Sequence, residues 1–462
     1  MKTKSHKMTT DTEVNPASYK DSAGFIFTHK QQSFRQVNQS YASRYDCLMQ
    51  SGLYALLTGK KMLISHTEVA AIATGEGGAY KTLLPEQLEF ISYPYEWAFA
   101  MLRDAALLTL QVNLLAIQKG MILKDASAFN VQFQHGRPVF IDTLSFELFD
   151  ETKPWIAYPQ FCRHFLFPLL LNHYCGFEAQ QLLGIYLDGL PAAFTAKLLP
   201  FATRFKLGTA LHVHLQSRVG KVKQAGQSGG KFDRGKTERL LLHLQSVITK
   251  LKYPSQKTTW NDYYSSTITS QQYLKEKEDV FLEMMQSLPV KKALDFGAND
   301  GHFSRLLAGL GISVVAADFD GACINRLYEQ TRETGSLNII PLMVNISNPP
   351  PATGFNNKER PAFLQRIKAD LVVALALIHH LHFTENLPLA KMADMFHHIT
   401  ERYLLIEFVP PADEKVTVIA ERKGATDEMY NEALFEHAFK TRFRILQKRA
   451  LSAGRILYLM EK

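Results

Sequence analysis

The stretch Leu294-Asp295-Phe296-Gly297-Ala298-Asn299-Asp300-Gly301 constrains this chain more than any other. The apolar approach Ala293-Leu294 predicts a strand end, and the two glycines predict a tight turn. Phe303, Leu306, Leu307 and Leu310 then recur at the spacing i, i+3, i+4, i+7, so a helix with one apolar face follows. A strand turning sharply into a helix aims unsatisfied N–H groups at whatever lies above the turn, which favours an anionic ligand. The expected structure is a cofactor-binding turn in a parallel α/β sheet.

Ile312 to Ala317 predict a second strand, ending at Asp318 with Asp320 just after. An acidic residue about 20 positions past a glycine turn is placed to bind ribose hydroxyls. Two cofactors suit that geometry, a nicotinamide dinucleotide and S-adenosylmethionine. The nicotinamide fingerprint asks for G-x-G-x-x-G, and the turn reads G-A-N-D-G. With Asp295 ahead of it, D-x-G-x-x-x-G instead resembles motif I of the class I S-adenosylmethionine-dependent methyltransferases, D/E-x-G-x-G-x-G. Asn299 replaces the central glycine, and asparagine also visits left-handed backbone.

The resemblance runs from about residue 260 to 462. Ile339 to Val344 predict a third strand leading to Asn345, where many relatives carry an aspartate near the adenine. Leu371 to Ile378 form an unbroken apolar run, the mark of a strand buried on both faces, and end at His379-His380. Leu404-Leu405-Ile406 lead to Glu407 and the Pro410-Pro411 loop. Phe443 to Leu451 and Arg455 to Met460, joined at Ser452-Ala453-Gly454, look like the antiparallel pair that closes this family's seven-stranded sheet. The resemblance implies that Asp295, Gly297, Asn299 and Gly301 surround the amino acid portion of S-adenosylmethionine. It implies that Asp318 takes the ribose hydroxyls and that Asn345 lies by the adenine. Asn348-Pro349-Pro350-Pro351 is similar to the N-P-P-Y motif of adenine and glutamine methyltransferases, but it follows the third strand rather than the fourth and lacks the aromatic residue. It reads as a proline-rich loop.

A sulfonium methyl is already activated, so the protein must mainly align an acceptor and exclude water, a proximity effect of ~7–11 kcal/mol. An oxygen or nitrogen acceptor can also need a base. His379 and His380, at the carboxyl end of the fourth strand, are the candidates, with Glu407 a weaker one. Shaping the pocket is the alternative role for both histidines.

At 462 residues, two or three domains are expected. The four cysteines show no C-x-x-C spacing, so neither a zinc site nor a disulfide framework is indicated, and a reducing cytoplasm is the expected home. No uninterrupted apolar run approaches the ~20 residues of a membrane span, so no membrane partner is expected. The formal charge is +8, and residues 218–239 hold seven Lys/Arg against Asp233 and Glu238 with five glycines. That segment is expected to be a solvated basic loop or linker. Nucleic acid is the alternative partner, with only Phe232 to stack on a base.

In the first half, Met101, Ala105, Leu108, Val112 and Leu115 predict a largely apolar helix ending near Gly120. Lys124-Asp125-Ala126-Ser127-Ala128-Phe129-Asn130 follows, then Val131-Gln132-Phe133, a turn at Gly136, and Val139-Phe140-Ile141-Asp142. This order resembles the catalytic loop of protein kinases and aminoglycoside-type phosphotransferases. The resemblance implies a base at Asp125 and a metal on Mg-ATP phosphates held by Asn130 and Asp142. No glycine-rich phosphate loop is visible, Thr143 follows Asp142 where Phe-Gly is usual, and neither Lys60 nor Lys61 is singled out as the ATP lysine. A kinase-like scaffold or substrate domain is expected over an active phosphotransferase. The phrases YPYEWAFAMLRDAALLTLQ, GMILKDASAFNVQF and PVFIDTLSFE, with the downstream half, resemble a bacterial family of nodulation-protein-related methyltransferases.

The expected fold is α/β, with a Rossmann-like seven-stranded methyltransferase sheet over 258–462. An α+β domain of kinase-like character over 21–215 precedes it, after a disordered tail over 1–20. Residues 216–257 are expected to be a basic linker and helix. A helix with the stripe Val280, Phe281, Met284, Met285 and Leu288 introduces the methyltransferase half, and Trp260, Tyr263 and Tyr264 just before it are candidates to cover the cofactor. The expected activity is methyl transfer to an oxygen or nitrogen of a small molecule, glycan-related or a secondary metabolite. An RNA or protein acceptor docked through the basic loop is the rival. Nothing in the sequence sets the oligomeric state.

Overall fold

The computed structural model describes residues 12–74, 78–219, 232–254, 271–335, 338–423, 429–452 and 454–462. Trp260, Tyr263, Tyr264 and most of the basic glycine-rich segment lie outside the described residues.

The first half opens with a five-stranded antiparallel sheet: β1 (Thr12–Val14), β2 (Gly24–His29), β3 (Gln32–Asn38), β4 (His66–Val69) and β5 (Ala79–Pro85), in the order β1-β2-β3-β5-β4. Of the tail expected to be disordered over 1–20, residues 12–20 are ordered, since β1 pairs with β2 and Tyr19 and Lys20 both bond Glu359, and residues 1–11 lie outside the described residues. Two short helices, Ala42–Gln50 and Leu53–Gly59, connect β3 to β4. The helix Phe99–Gln118 follows, carrying the predicted apolar positions. Among the described residues it alone is long and apolar enough to cross a membrane, and most of it is buried in protein. Strand β6 (Met121–Leu123), the hairpin β7 (Val131–Gln134) and β8 (Arg137–Phe140), and β9 (Phe146–Leu148) come next. The helix Arg234–Thr249, expected as part of a linker, buries Leu241, Leu244 and Ile248 in the same core as Phe99–Gln118.

The helix Gln271–Met285 introduces the second half, with Phe281, Met284 and Met285 buried as their spacing predicts. Seven strands then form one sheet: β10 (Lys292–Phe296), β11 (Ser313–Asp318), β12 (Ile339–Met343), β13 (Ala369–Ala374), β14 (Thr400–Phe408), β15 (Arg444–Ala450) and β16 (Ile456–Glu461), in the order β12-β11-β10-β13-β14-β16-β15. Strands β10 to β14 pair in parallel, and β16 runs antiparallel to both its neighbours. This is the closing arrangement the resemblance implies. The sequence reverses direction between β11 and β13 at β10, which opens a crevice at the carboxyl ends of the strands.

The fourth strand is shorter than its apolar run. It stops at Ala374, Ala376 adopts a φ of 49°, and Ile378–Phe383 form a short helix. Apolarity marked burial there, and burial alone does not distinguish a strand from a helix.

The two halves share one core, whose apolar residues run from Leu48 to Met460. Tyr328 packs edge-on against Phe133, and its hydroxyl donates to Asp104 at 3.0 Å; Arg332 pairs with the same carboxylate at 2.7 Å.

Candidate functional site

The turn after β10 is closed by its own backbone and by one carboxylate. Gly297 N donates to Ala317 O at 2.9 Å, and Gly301 N to Ala298 O at 2.8 Å. Asn299 adopts φ 51°, the left-handed conformation that its amide side chain tolerates. Its N–H donates to Asp318 Oδ2 at 2.9 Å, and Asp320 N donates to Asp318 Oδ1 at 2.9 Å. Gly301 has φ 78°, and a Cβ there would collide with the side chain of Leu327, so glycine is required on both counts. Asp320 caps the helix Gly321–Thr334 through Ala322 N and Cys323 N. It is a structural cap, which leaves Asp318 as the acidic residue at the end of β11 that lines the crevice.

Asp295 and Asp318 are both buried, and burial pushes each carboxyl up to about 6. Ser304 Oγ donates to Asp295 Oδ2 at 2.6 Å and partly offsets this; the backbone donors do the same for Asp318. Both carboxylates line the crevice with Gly297, Asn299 and Asn345. Gly301 does not reach it and acts through the turn. Asn345 is exposed just beyond β12, its Oδ1 accepting from Ser347 N at 3.0 Å.

The two histidines separate. His380 is half-buried and lines the crevice, whereas His379 is fully buried behind it, with the rings 4.1 Å apart. Both stand on the Ile378–Phe383 helix rather than at the strand end.

Glu407 occupies a setting the sequence did not reveal. It is completely buried, Lys277 Nζ donates to its Oε2 at 2.6 Å, and Tyr273 OH donates to Oε1 at 3.1 Å. Arg455 lies 3.6 Å from Glu407 and pairs with Asp413 at 2.9 Å. Burial alone would raise the Glu407 carboxyl, but Lys277 and Arg455 hold it below the usual carboxylate range. Burial in turn pushes Lys277 down against the pull of Glu407. Tyr273, Lys277 and Arg455 all line the crevice. Residues 130 apart in sequence carry no periodic signal, and the only clue was charge inside otherwise apolar stretches.

A second cleft lies in the first half, lined by Arg35, Lys124, Asp125, Asn130, Asp142 and Arg163, with Glu359 and Arg360 reaching in from the second half. The three residues predicted together, Asp125, Asn130 and Asp142, do converge there. Lys60 and Lys61 do not; Arg35 of β3 lines the cleft and pairs with Asp142. Ser145 Oγ and Leu144 N also donate to Asp142. Among the described residues no cluster of His, Cys, Asp and Glu is arranged to hold a metal ion.

No protein-family model matches the chain. It is 30% identical to the nodulation protein NoeA of Rhizobium meliloti (strain 1021) over 456 residues, which covers 96% of this chain and 95% of that protein. Among solved structures, the N-methyltransferase NodS of Bradyrhizobium japonicum WM9 aligns at 13% identity and a TM-score of 0.31, over 42% of this chain and 99% of its own. Magnesium protoporphyrin IX methyltransferase of Synechocystis PCC 6803 with bound S-adenosylhomocysteine aligns at 16% and 0.32, over 46% and 90%. With TM-scores this low, the fold assignment rests on the strand order and the turn geometry.

Proposed function

The chain belongs to the family of the nodulation protein NoeA; from that premise we propose that it is an S-adenosylmethionine-dependent methyltransferase that methylates an oxygen or nitrogen of a small molecule, glycan-related or a secondary metabolite. The observation that carries this reading is Asp318 at the end of β11, tied to the 297–301 turn through Asn299 N and open to the crevice. Asp318 retains acceptor capacity for ribose hydroxyls beyond its backbone donors Asn299, Phe319 and Asp320. Asn345 offers an amide to the adenine edge. Asp295, Gly297 and Asn299 form the wall for the amino acid portion, and Lys277 and Arg455, paired with Glu407 and Asp413, line the same crevice. When bound, S-adenosylmethionine supplies an activated methyl group on its sulfonium. Phe296, Val344, Leu375 and Leu381 line the crevice and exclude water from it.

His380 is the residue placed to take a proton from the acceptor, and His379 supports it from behind. Glu407 is not a base, because its carboxylate is committed to Lys277 and Arg455. Label from methyl-labelled S-adenosylmethionine, incubated with fractionated cell extract, is expected in the small-molecule fraction and absent with Asp318→Ala. Label in RNA or protein would overturn the acceptor class. His380→Ala should lower turnover about a hundredfold with cofactor affinity unchanged.

For the first half, the sheet order β1-β2-β3-β5-β4 and the convergence of Asp125, Asn130 and Asp142 support a kinase-like scaffold. Asp142 is held by Arg35, Ser145 and Leu144 N, which leaves it poorly placed to bind a metal on Mg-ATP. Calorimetry with Mg-ATP tests this, and heat of binding lost in Asp142→Ala would restore the phosphotransferase reading.

A further inference from the structure

We propose that the surface around Phe201, Phe205, Leu207, Leu211 and Leu215 docks on an anionic lipid bilayer. Phe201, Phe205 and Leu207 are 65%, 79% and 68% exposed, and their grouping, rather than the exposure of any one of them, marks the surface. They form one ridge. The Phe201 and Phe205 rings lie 5.6 Å apart, and Leu207, Leu211 and Leu215 follow at four-residue steps along continuous helical turns.

The ridge is held firmly from beneath. Thr209 Oγ1 donates to Thr203 O at 2.6 Å, Thr203 Oγ1 bonds His214 Nε2 at 3.1 Å, and Val213 is fully buried. Gly208 sits against Val247 of the Arg234–Thr249 helix. Exposed aromatic rings on a braced platform are side chains whose place is set by the fold rather than by a loose loop.

The charge pattern selects the occupant. Between residues 189 and 217 the sequence has no acidic residue, while Lys197, Arg204 and Lys206 stand among its apolar positions. The Arg204 guanidinium lies 5.0 Å from the Phe201 ring centroid, so positive charge is interleaved with the apolar ridge. Apolar side chains among cations suit the headgroup boundary of an anionic bilayer, where each Lys or Arg near the surface adds attraction. A second copy of this face would instead bring like charges together. The contact is peripheral, and it is separate from the buried Phe99–Gln118 helix.

Sedimentation of the full chain with vesicles tests the proposal. Binding is expected to vesicles of phosphatidylglycerol and phosphatidylcholine in equal parts, and about tenfold less to phosphatidylcholine alone or in about 1 M salt, where screening is nearly complete. Phe201→Ser with Phe205→Ser should lower binding about tenfold while melting temperature and S-adenosylmethionine affinity stay unchanged. Three results would each overturn it: no binding to either vesicle, equal binding to both that survives the double substitution, or a dimer in solution that the double substitution dissociates.

Discussion

The crevice at the 297–301 turn and the cleft around Asp142 both gather carboxylates and cations, but they use them differently. The first-half cleft encloses about 540 Å³ and the crevice about 250 Å³, so size does not select the site. In the crevice, Asp295 and Asp318 are satisfied by a hydroxyl and by backbone N–H groups, and the cations that line it are paired with Glu407 and Asp413. In the cleft, Asp142 meets Arg35, Asp21 meets Lys124 and Glu359 meets Lys20. A carboxylate held by backbone donors keeps acceptor capacity for a ligand, whereas one closed by a salt bridge has largely spent it. Convergence of the right residue types does not by itself make a site; what each charge is already bonded to decides.

The strongest way to probe this contrast is to remove one cation from each region. Lys277→Ala leaves Glu407 buried with a single distant guanidinium and should cost about 3 kcal/mol or more of folding stability. The pair formed by Arg35 and Asp142 keeps 14% and 15% side-chain exposure, so Arg35→Ala should cost clearly less. Urea unfolding at neutral pH compares the two; equal losses would remove the distinction.

A second test uses protons. Asp295 and Asp318 each stand near 6 in the folded chain against an ordinary value of 3.8, so the folded state binds their protons more tightly than the unfolded state does. Their favourable contribution is whole below about pH 4 and is lost as pH rises through about 6. Asp295→Asn, which keeps an acceptor for Ser304, should therefore stabilise the ligand-free protein by about 1–3 kcal/mol at pH 7.5 and by little at pH 4.5. Denaturant midpoints at both pH values check it, and an advantage that is independent of pH would contradict the burial argument.

A smaller effect is expected at the turn. Gly301→Ala forces a Cβ into Leu327 and a non-glycine residue into φ 78°, with a loss of about 2 kcal/mol in thermal unfolding. A neutral result would mean that the turn can relax without its glycine.

Much of the second half was legible because its strands are local apolar runs and its turn needs particular residues. Gly297, Asn299 and Gly301 all take positive φ, and β10, β11 and β12 form where their apolar residues cluster. The first-half sheet was not legible. Its strands are short and mixed, as in Gln32–Asn38, where exposed and buried residues do not alternate cleanly. Pairing between distant segments set them instead. Asp125, Asn130 and Asp142 were visible as a motif, but Arg35, 107 residues from its partner, was not. The same holds for Lys277 and Arg455, whose importance appears only when three distant segments meet at Glu407. His379 and His380 were indistinguishable as neighbours in sequence, and the rotation between consecutive helix residues sends them to different environments.

The most direct test of the central claim is calorimetry of S-adenosylmethionine binding to the wild type, Asp318→Ala and Asp142→Ala. Loss of hydrogen bonds to a charged acceptor predicts a drop of about ten- to a hundredfold for Asp318→Ala, with the Asp142→Ala affinity equal to wild type. Unchanged affinity in Asp318→Ala, or an equal loss in Asp142→Ala, would contradict the assignment of the cofactor to the crevice.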